Sequence, residues 1–504
     1  MPAHTIALRG GRVIDPASML DANMNVGITG ATITAVTEAP LDAATTIDAS
    51  GLVIAPGFID LHSHAQTLAG RRLQAHDGVT TAFELEIGRS PVGNAYAYEA
   101  SFGSPINYGF SASWASARMR VLTGRVNDGG VKSAFAVLGD AAWRAPCPPQ
   151  QLSRVLAVIS EDLSRGAIGI GLLLGYAPEI DPSEYLQVAR LASESGVPTF
   201  THCRDLVEMQ PATKIDGAEE IVRAAAETGA HMHYCHINST SGRHIDRVLD
   251  LVESCQQAGS RITTEAYPYG SGSTAIGAAF LAPERLPERG LTPQRITYLP
   301  TGETLADVAR LRELRAGDPD GLVFTETLNE NDPGELAILR RSLIFDNTII
   351  ASDAMPLVPT SAEFDPFQWP LGPGAVTHPR SAGCFSRALR IWREEGRPLS
   401  DVVRRCTLLP AQVLEPSCSA MRAKGRIQPG ADADLVVFDP ARVTDEASYE
   451  HTTLPSSGIP YLLVAGVFVI RDGQLVPEAR PGRLIRADRA YDGTVPQSEG
   501  VAGA

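Results

Sequence analysis

Residues 182–202 read PSEYLQVARLASESGVPTFTH. The first fourteen carry apolar residues at helical spacing behind a proline. A glycine follows, and then an apolar run of strand type that ends on His202. The next unit repeats the plan, with a helical pattern over 218–228, Gly229, and MHYCH over 232–236. Helix and strand alternating in this way imply a parallel sheet. Working outward, further strands of the same type stand at 57–62, 79–86, 106–114, 167–173, 262–267 and 348–352. Helical patterns fill 152–165 and 243–258. Eight such strands over about 350 residues predict a closed (β/α)8 barrel.

The ends have a different texture. Short strands with glycine turns occupy 5–14, 25–28 and 32–36, and strand-like runs return at 434–438 and 462–470 before the hairpin signal Asp472-Gly473. Segments 1–55 and 416–485 are therefore expected to meet as one small β-sandwich, flanking a barrel over 56–415. The connection over about 268–347 is unusually long for a link between strands. It should open at the C-terminal mouth of the barrel and serve as a lid. The tail from 486 is polar and glycine-rich, and is expected to be disordered.

Composition excludes several classes. The 504 residues carry a net charge of −15 with no basic run, so a duplex-binding role is excluded. No apolar stretch is long enough to span a bilayer, and the N-terminus lacks a signal-peptide pattern. Seven scattered cysteines without CxxC spacing read as reduced thiols in a cytoplasmic protein. The expected partner is a small-molecule substrate, with self-association left open.

Chemistry concentrates at strand ends. His62 and His64 are two residues apart, so strand alternation puts both imidazoles on one side. His202 and His236 end the fifth and sixth strands, and Asp353 follows the eighth. In a closed barrel these ends converge on one mouth. Glu84 and Glu86 share one face of the second strand, where two buried carboxylates call for a cation. Glu86, nearer the mouth, is the expected ligand, with Glu84 in reserve as its support. Cys203 and Cys235 should point away from the site and pack the barrel. His231 and His233 should lie outside it.

Residues 55–64, APGFIDLHSH, resemble the first-strand motif of the amidohydrolase superfamily. Gly78-Val-Thr-Thr81, Thr201-His202, Ser241-Gly242-Arg243, AYPYGSGST over 266–274, Ser352-Asp353, His378-Pro379-Arg380, and the runs 425–430 and 433–440 fall in the order of the N-acyl-D-amino-acid deacylases (D-aminoacylases). This resemblance covers about residues 5 to 485. It implies a zinc enzyme that hydrolyses the amide of an N-acylated amino acid. His202 and His236 would hold the tighter zinc, His62 and His64 the second position, and Asp353 would be the catalytic acid/base. Arg380, Tyr267, Tyr269, Asn238 and Ser273 would meet the substrate.

Two departures stand out. The family's metal-binding cysteine after the GVTT strand is missing, and Glu86 is the substitute. The family's lysine two residues beyond His236 is Asn238 here. A bridging Glu86 would join two zinc ions about 3.5 Å apart, as in two-metal hydrolases. The alternative chemistry for the same residues is opening or closing a cyclic imide, lactam or lactone. A scaffold that has lost catalysis is disfavoured, because every expected ligand position is filled.

Overall fold

The computed structural model describes residues 2–128, 130, 133, 136–138, 140–372 and 374–488. All eight expected barrel strands form: Phe58–Asp60, Val79–Arg89, Asn107–Ser113, Ile170–Leu173, Thr199–His202, Met232–Tyr234, Ile262–Ala266 and Ile349–Ile350. They pair in parallel, each with the next in sequence. Closure joins the eighth to the first: Ser63 bridges Ala354, and His64 N donates to Ala354 O at 2.7 Å. Asp60 completes the seam by accepting from Ser352 N at 3.0 Å and His62 N at 3.2 Å. Burial pushes the Asp60 carboxyl up to about 7, against these hydrogen bonds.

Several strands are shorter than the apolar runs that predict them. At the mouth the chain leaves the ladder to turn side chains inward, and two site residues take left-handed backbone there, His236 at φ 33° and Asp353 at φ 49°. The helices obey simple punctuation. Asp181 caps Pro182–Ser195 by accepting from Ser183 N, and Gly196 ends it at φ 67°. Asp216 caps Gly217–Thr228 through Ala218 N and Glu219 N, and Gly229 stops it the same way. An aspartate cap of this kind contributes about 1 kcal/mol.

The two chain ends build one nine-stranded sheet. Val53–Pro56 lies antiparallel to Leu435–Phe438, which joins the N-terminal strands to the C-terminal ones. His4–Asp15 is the branch point: its first half pairs with Ala43–Asp48 and its second with Val53–Pro56. The register shifts between Leu8 and Gly11, where Gly10 sits at φ 70°. Ile6, Leu8, Val26, Ile54, Leu435 and Leu463 belong to a core of this unit alone.

The long connection before the eighth strand folds as an antiparallel sheet of four strands, Ser271–Ala275, Leu322–Glu326, Ile296–Tyr298 and Glu303–Thr304. Val308–Gly317 and Pro333–Ile344 are its helices. Of the tail, Ala487 N donates to Gly166 O, and Asp488 accepts from Ser419 N and Oγ. The rest of the tail lies outside the described residues. All seven cysteines are unpaired, and no described helix is long and apolar enough to cross a membrane.

Candidate metal centre

The barrel mouth brings His62, His64, Glu86, His202, His236 and Asp353 together. His62 Nε2 and His64 Nε2 are 3.1 Å apart. Glu86 Oε2 faces this pair, at 3.3 Å from His62 and 3.6 Å from His64. Glu86 Oε1 faces the other pair, 2.7 Å from His236 Nε2 and 3.1 Å from His202 Nδ1. Asp353 Oδ1 lies 3.4 Å and 3.3 Å from the Nε2 atoms of His62 and His64. One carboxylate thus addresses two imidazole pairs, one with each oxygen.

The donor set fits a divalent metal. Ligand atoms of His62, His64 and Glu86 lie within 4.8 Å of one another, as do those of Glu86, His202 and His236. Imidazole nitrogen with carboxylate oxygen is a ligand set that zinc accepts. The local charges point the same way. Burial disfavours the His64 cation, but Glu84, Asp353 and Glu86 outweigh it and raise its pKa to about 10. Burial would raise Glu86, yet the facing His62 and His236 hold its carboxyl well below the usual range. The cluster has a strong demand for positive charge, which protons meet when no metal does.

Supporting groups fix the ligands from behind. Glu84 Oε2 is 2.9 Å from His64 Nδ1, which leaves Nε2 turned to the centre. Gly175 lies against His202, where an added Cβ would come within 2.5 Å of the ring. Tyr176 packs on the same ring at 4.8 Å between centroids and hydrogen-bonds Thr274 at 2.6 Å. Glu265, on the seventh strand, contacts His62 Nδ1 and His233 Nε2. Sequence reasoning missed Glu265, although it is a buried carboxylate in an apolar strand like Glu84 and Glu86.

Two expectations are corrected. His233 is fully buried and belongs to this supporting shell. The His231 ring hydrogen-bonds only to Thr263 Oγ1, beyond His233, and touches none of the clustered side chains. Cys235 does pack the barrel, beside Ile59, Leu61 and Phe200, but its thiol lies in a cluster with His62 and Glu265. The sixth strand ends at Tyr234, so strand alternation no longer governs residues 235 and 236.

The expected substrate residues divide. Tyr267 and Ser273 line a cavity of about 60 Å³ with His64, Glu86, His202, His236 and Asp353, walled by Gly272, Thr274 and Thr325 of the four-stranded sheet. Tyr269 lies elsewhere, under the Arg387 guanidinium, lining a separate cavity of about 750 Å³. The chain turns after the seventh strand, with Tyr269 N donating to Tyr267 O, and so separates the two rings. The Asn238 amide is engaged by the backbone of Tyr267 and does not line the metal cavity. Arg380 is buried against Asp353. Its Nη2 is 2.7 Å from Asp353 Oδ2, its Nε donates to Asp353 O at 2.6 Å, and its guanidinium lies over the Tyr267 ring at 4.4 Å.

Arg380→Lys is therefore expected to lower kcat, because a point charge cannot reproduce a fork that holds both the carboxylate and the carbonyl of Asp353. Metal content should stay unchanged. Steady-state kinetics with elemental analysis checks this, and a change confined to KM would move Arg380 from Asp353 to the substrate.

A closed parallel barrel with histidines and carboxylates converging at its C-terminal mouth defines a metal-dependent hydrolase of the amidohydrolase type. The amidohydrolase family model matches residues 223–476, just over half of the chain, and the chain belongs to that family. It is 28% identical to an N-acyl-D-glutamate deacylase of Alcaligenes xylosoxydans xylosoxydans, over 97% of this chain and 98% of the relative. A D-aminoacylase of the same organism is 29% identical, over 95% and 97%. Among solved structures, the N-acyl-D-glutamate deacylase of Bordetella bronchiseptica, complexed with zinc and a phosphonate inhibitor, superposes with a TM-score of 0.74 at 24% identity. The match covers 96% of this chain and all of that one. A D-aminoacylase described with a binuclear metal centre gives 0.73 at 23% identity, with the same coverage.

Proposed function

We propose that this chain is a cytoplasmic zinc deacylase that hydrolyses the amide of an N-acyl-D-amino acid. The observation that carries the reading is Glu86, whose two oxygens each face a separate pair of histidines. His202 and His236 would hold one zinc, His62 and His64 the second, with Glu86 between them and Asp353 beside the second position. A bound zinc supplies Lewis-acid polarisation of the carbonyl and lowers the pKa of water to about 7.

The protein's own groups supply the rest. Burial would raise Asp353, but Arg380 and His62 outweigh it and keep the carboxylate ionised, ready to accept a proton. Its Oδ1 points at the His62–His64 pair. There it can take a proton from the attacking water and pass it to the amide nitrogen as the C–N bond breaks. Tyr267 and Ser273 line the space left for substrate, and the Ser273 hydroxyl has no hydrogen-bond partner among the described residues. The names of the full-length relatives support a D-amino acid substrate.

The test is a screen of N-acylated D- and L-amino acids, with cyclic imides and lactams alongside, on protein of measured metal content. Turnover of N-acyl-D-amino acids is the expected result. Turnover of cyclic substrates alone would replace this reading with ring opening at the same centre.

A further inference from the structure

We propose that Glu265 is a positioning residue that ties the two halves of the metal centre together, an inference that rests on the proposed centre. Its side chain is fully engaged. Oε1 accepts from His62 Nδ1 and, at 3.3 Å, from the backbone N–H of His236. Oε2 meets His233 Nε2 at 3.0 Å, and His233 Nδ1 is in turn 2.8 Å from Thr263 Oγ1.

Each contact has a separate consequence. Holding His62 by Nδ1 fixes the tautomer whose Nε2 carries the free lone pair, and the adjacent negative charge makes that nitrogen a better donor. Nε2 is the atom that faces Glu86 and Asp353. The N–H of His236 belongs to a non-glycine residue at φ 33°, a conformation that persists only where surrounding contacts enforce it. Glu265 supplies one of those contacts, and His236 belongs to the opposite imidazole pair. A single oxygen therefore sets the ring of one half-site and the backbone of the other. His233 anchors the carboxylate from below, so Glu265 cannot swing into the centre as a ligand without abandoning a buried partner. Glu84 serves His64 alone among the ligating histidines, whereas Glu265 spans both pairs.

Two variants separate charge from shape. In Glu265→Gln the amide oxygen can still accept from His62 and from His236 N–H, and the amide nitrogen can donate to the other tautomer of His233. Shape is kept and charge is lost. Chelator competition on the cobalt-loaded protein should show the His62–His64 position weakened about 10–100-fold, the typical cost of losing such a partner. The other position should be retained. In Glu265→Ala the support of His236 is lost as well, and both positions should weaken. If the alanine protein does not fold, the glutamine variant still decides. Two metals held with wild-type affinity in Glu265→Gln would overturn the role of Glu265, as would equal weakening of both positions accompanied by a drop in melting temperature. A wild-type protein that takes up no metal would overturn the metal centre itself, which is a separate result.

Discussion

Glu86→Ala is expected to lose most of its bound metal and all measurable turnover, from a wild-type level of two metals per chain. The expectation follows from the division of its carboxylate. Oε2 faces His62 and His64 and Oε1 faces His202 and His236, so this one side chain addresses all four imidazoles. Removing it leaves two incomplete half-sites. It also leaves four imidazoles, three of them buried, without the carboxylate they share, and an uncompensated buried charge costs several kcal/mol. Glu84→Ala should have a smaller effect on metal content, because Glu84 reaches the centre only through His64 Nδ1. Elemental analysis of the three proteins decides between them. Two metals retained in Glu86→Ala, or loss confined to Glu84→Ala, would mean that the other glutamate is the ligand. A single metal in saturated wild type would mean that Glu86 does not bridge.

Asp353→Asn should keep its fold and its metal while kcat falls by ~10²–10⁴-fold, the usual contribution of a general acid/base. Asparagine preserves the shape and one carbonyl oxygen, but it cannot take up a proton. Arg380 would keep its bond to the backbone carbonyl of residue 353, so the left-handed turn there should survive. Single-turnover rates together with metal analysis test this. Full activity in the variant would remove Asp353 from proton transfer. A loss of metal equal to the loss of rate would make it a ligand only.

The sequence makes the barrel and the side chains that converge at its mouth legible for one reason. Both follow from position along a strand. His202 ends an apolar run, His62 and His64 keep a spacing of two, and Glu86 stands nearer the mouth than Glu84. What lies beyond the strand ends is set by turns, and periodicity cannot reach it. Tyr267 and Tyr269 share a spacing of two, yet the turn between them sends one ring to the metal cavity and the other to Arg387. Asn238 follows His236 in a short helix, Ile237–Ser241, and that geometry spends its amide on the backbone of Tyr267. Glu265 escaped notice although its strand was identified. Its significance lies in contacts with His62, 203 positions away in sequence, and with His233.

The nine-stranded sheet bears on how the chain reaches this state. Val53–Pro56 lies immediately before the first barrel strand and pairs with Leu435–Phe438, so its neighbour is made only after the whole barrel. Contacts of such long sequence separation form slowly, because a large loop must close before any pairing rewards it. The start of the barrel thus waits for a strand that follows the barrel in sequence. During synthesis Val53–Pro56 is an apolar strand with an open edge, the kind of segment that aggregates. Truncations that remove Leu435–Phe438 should accumulate as aggregates even though every side chain of the proposed metal centre is present.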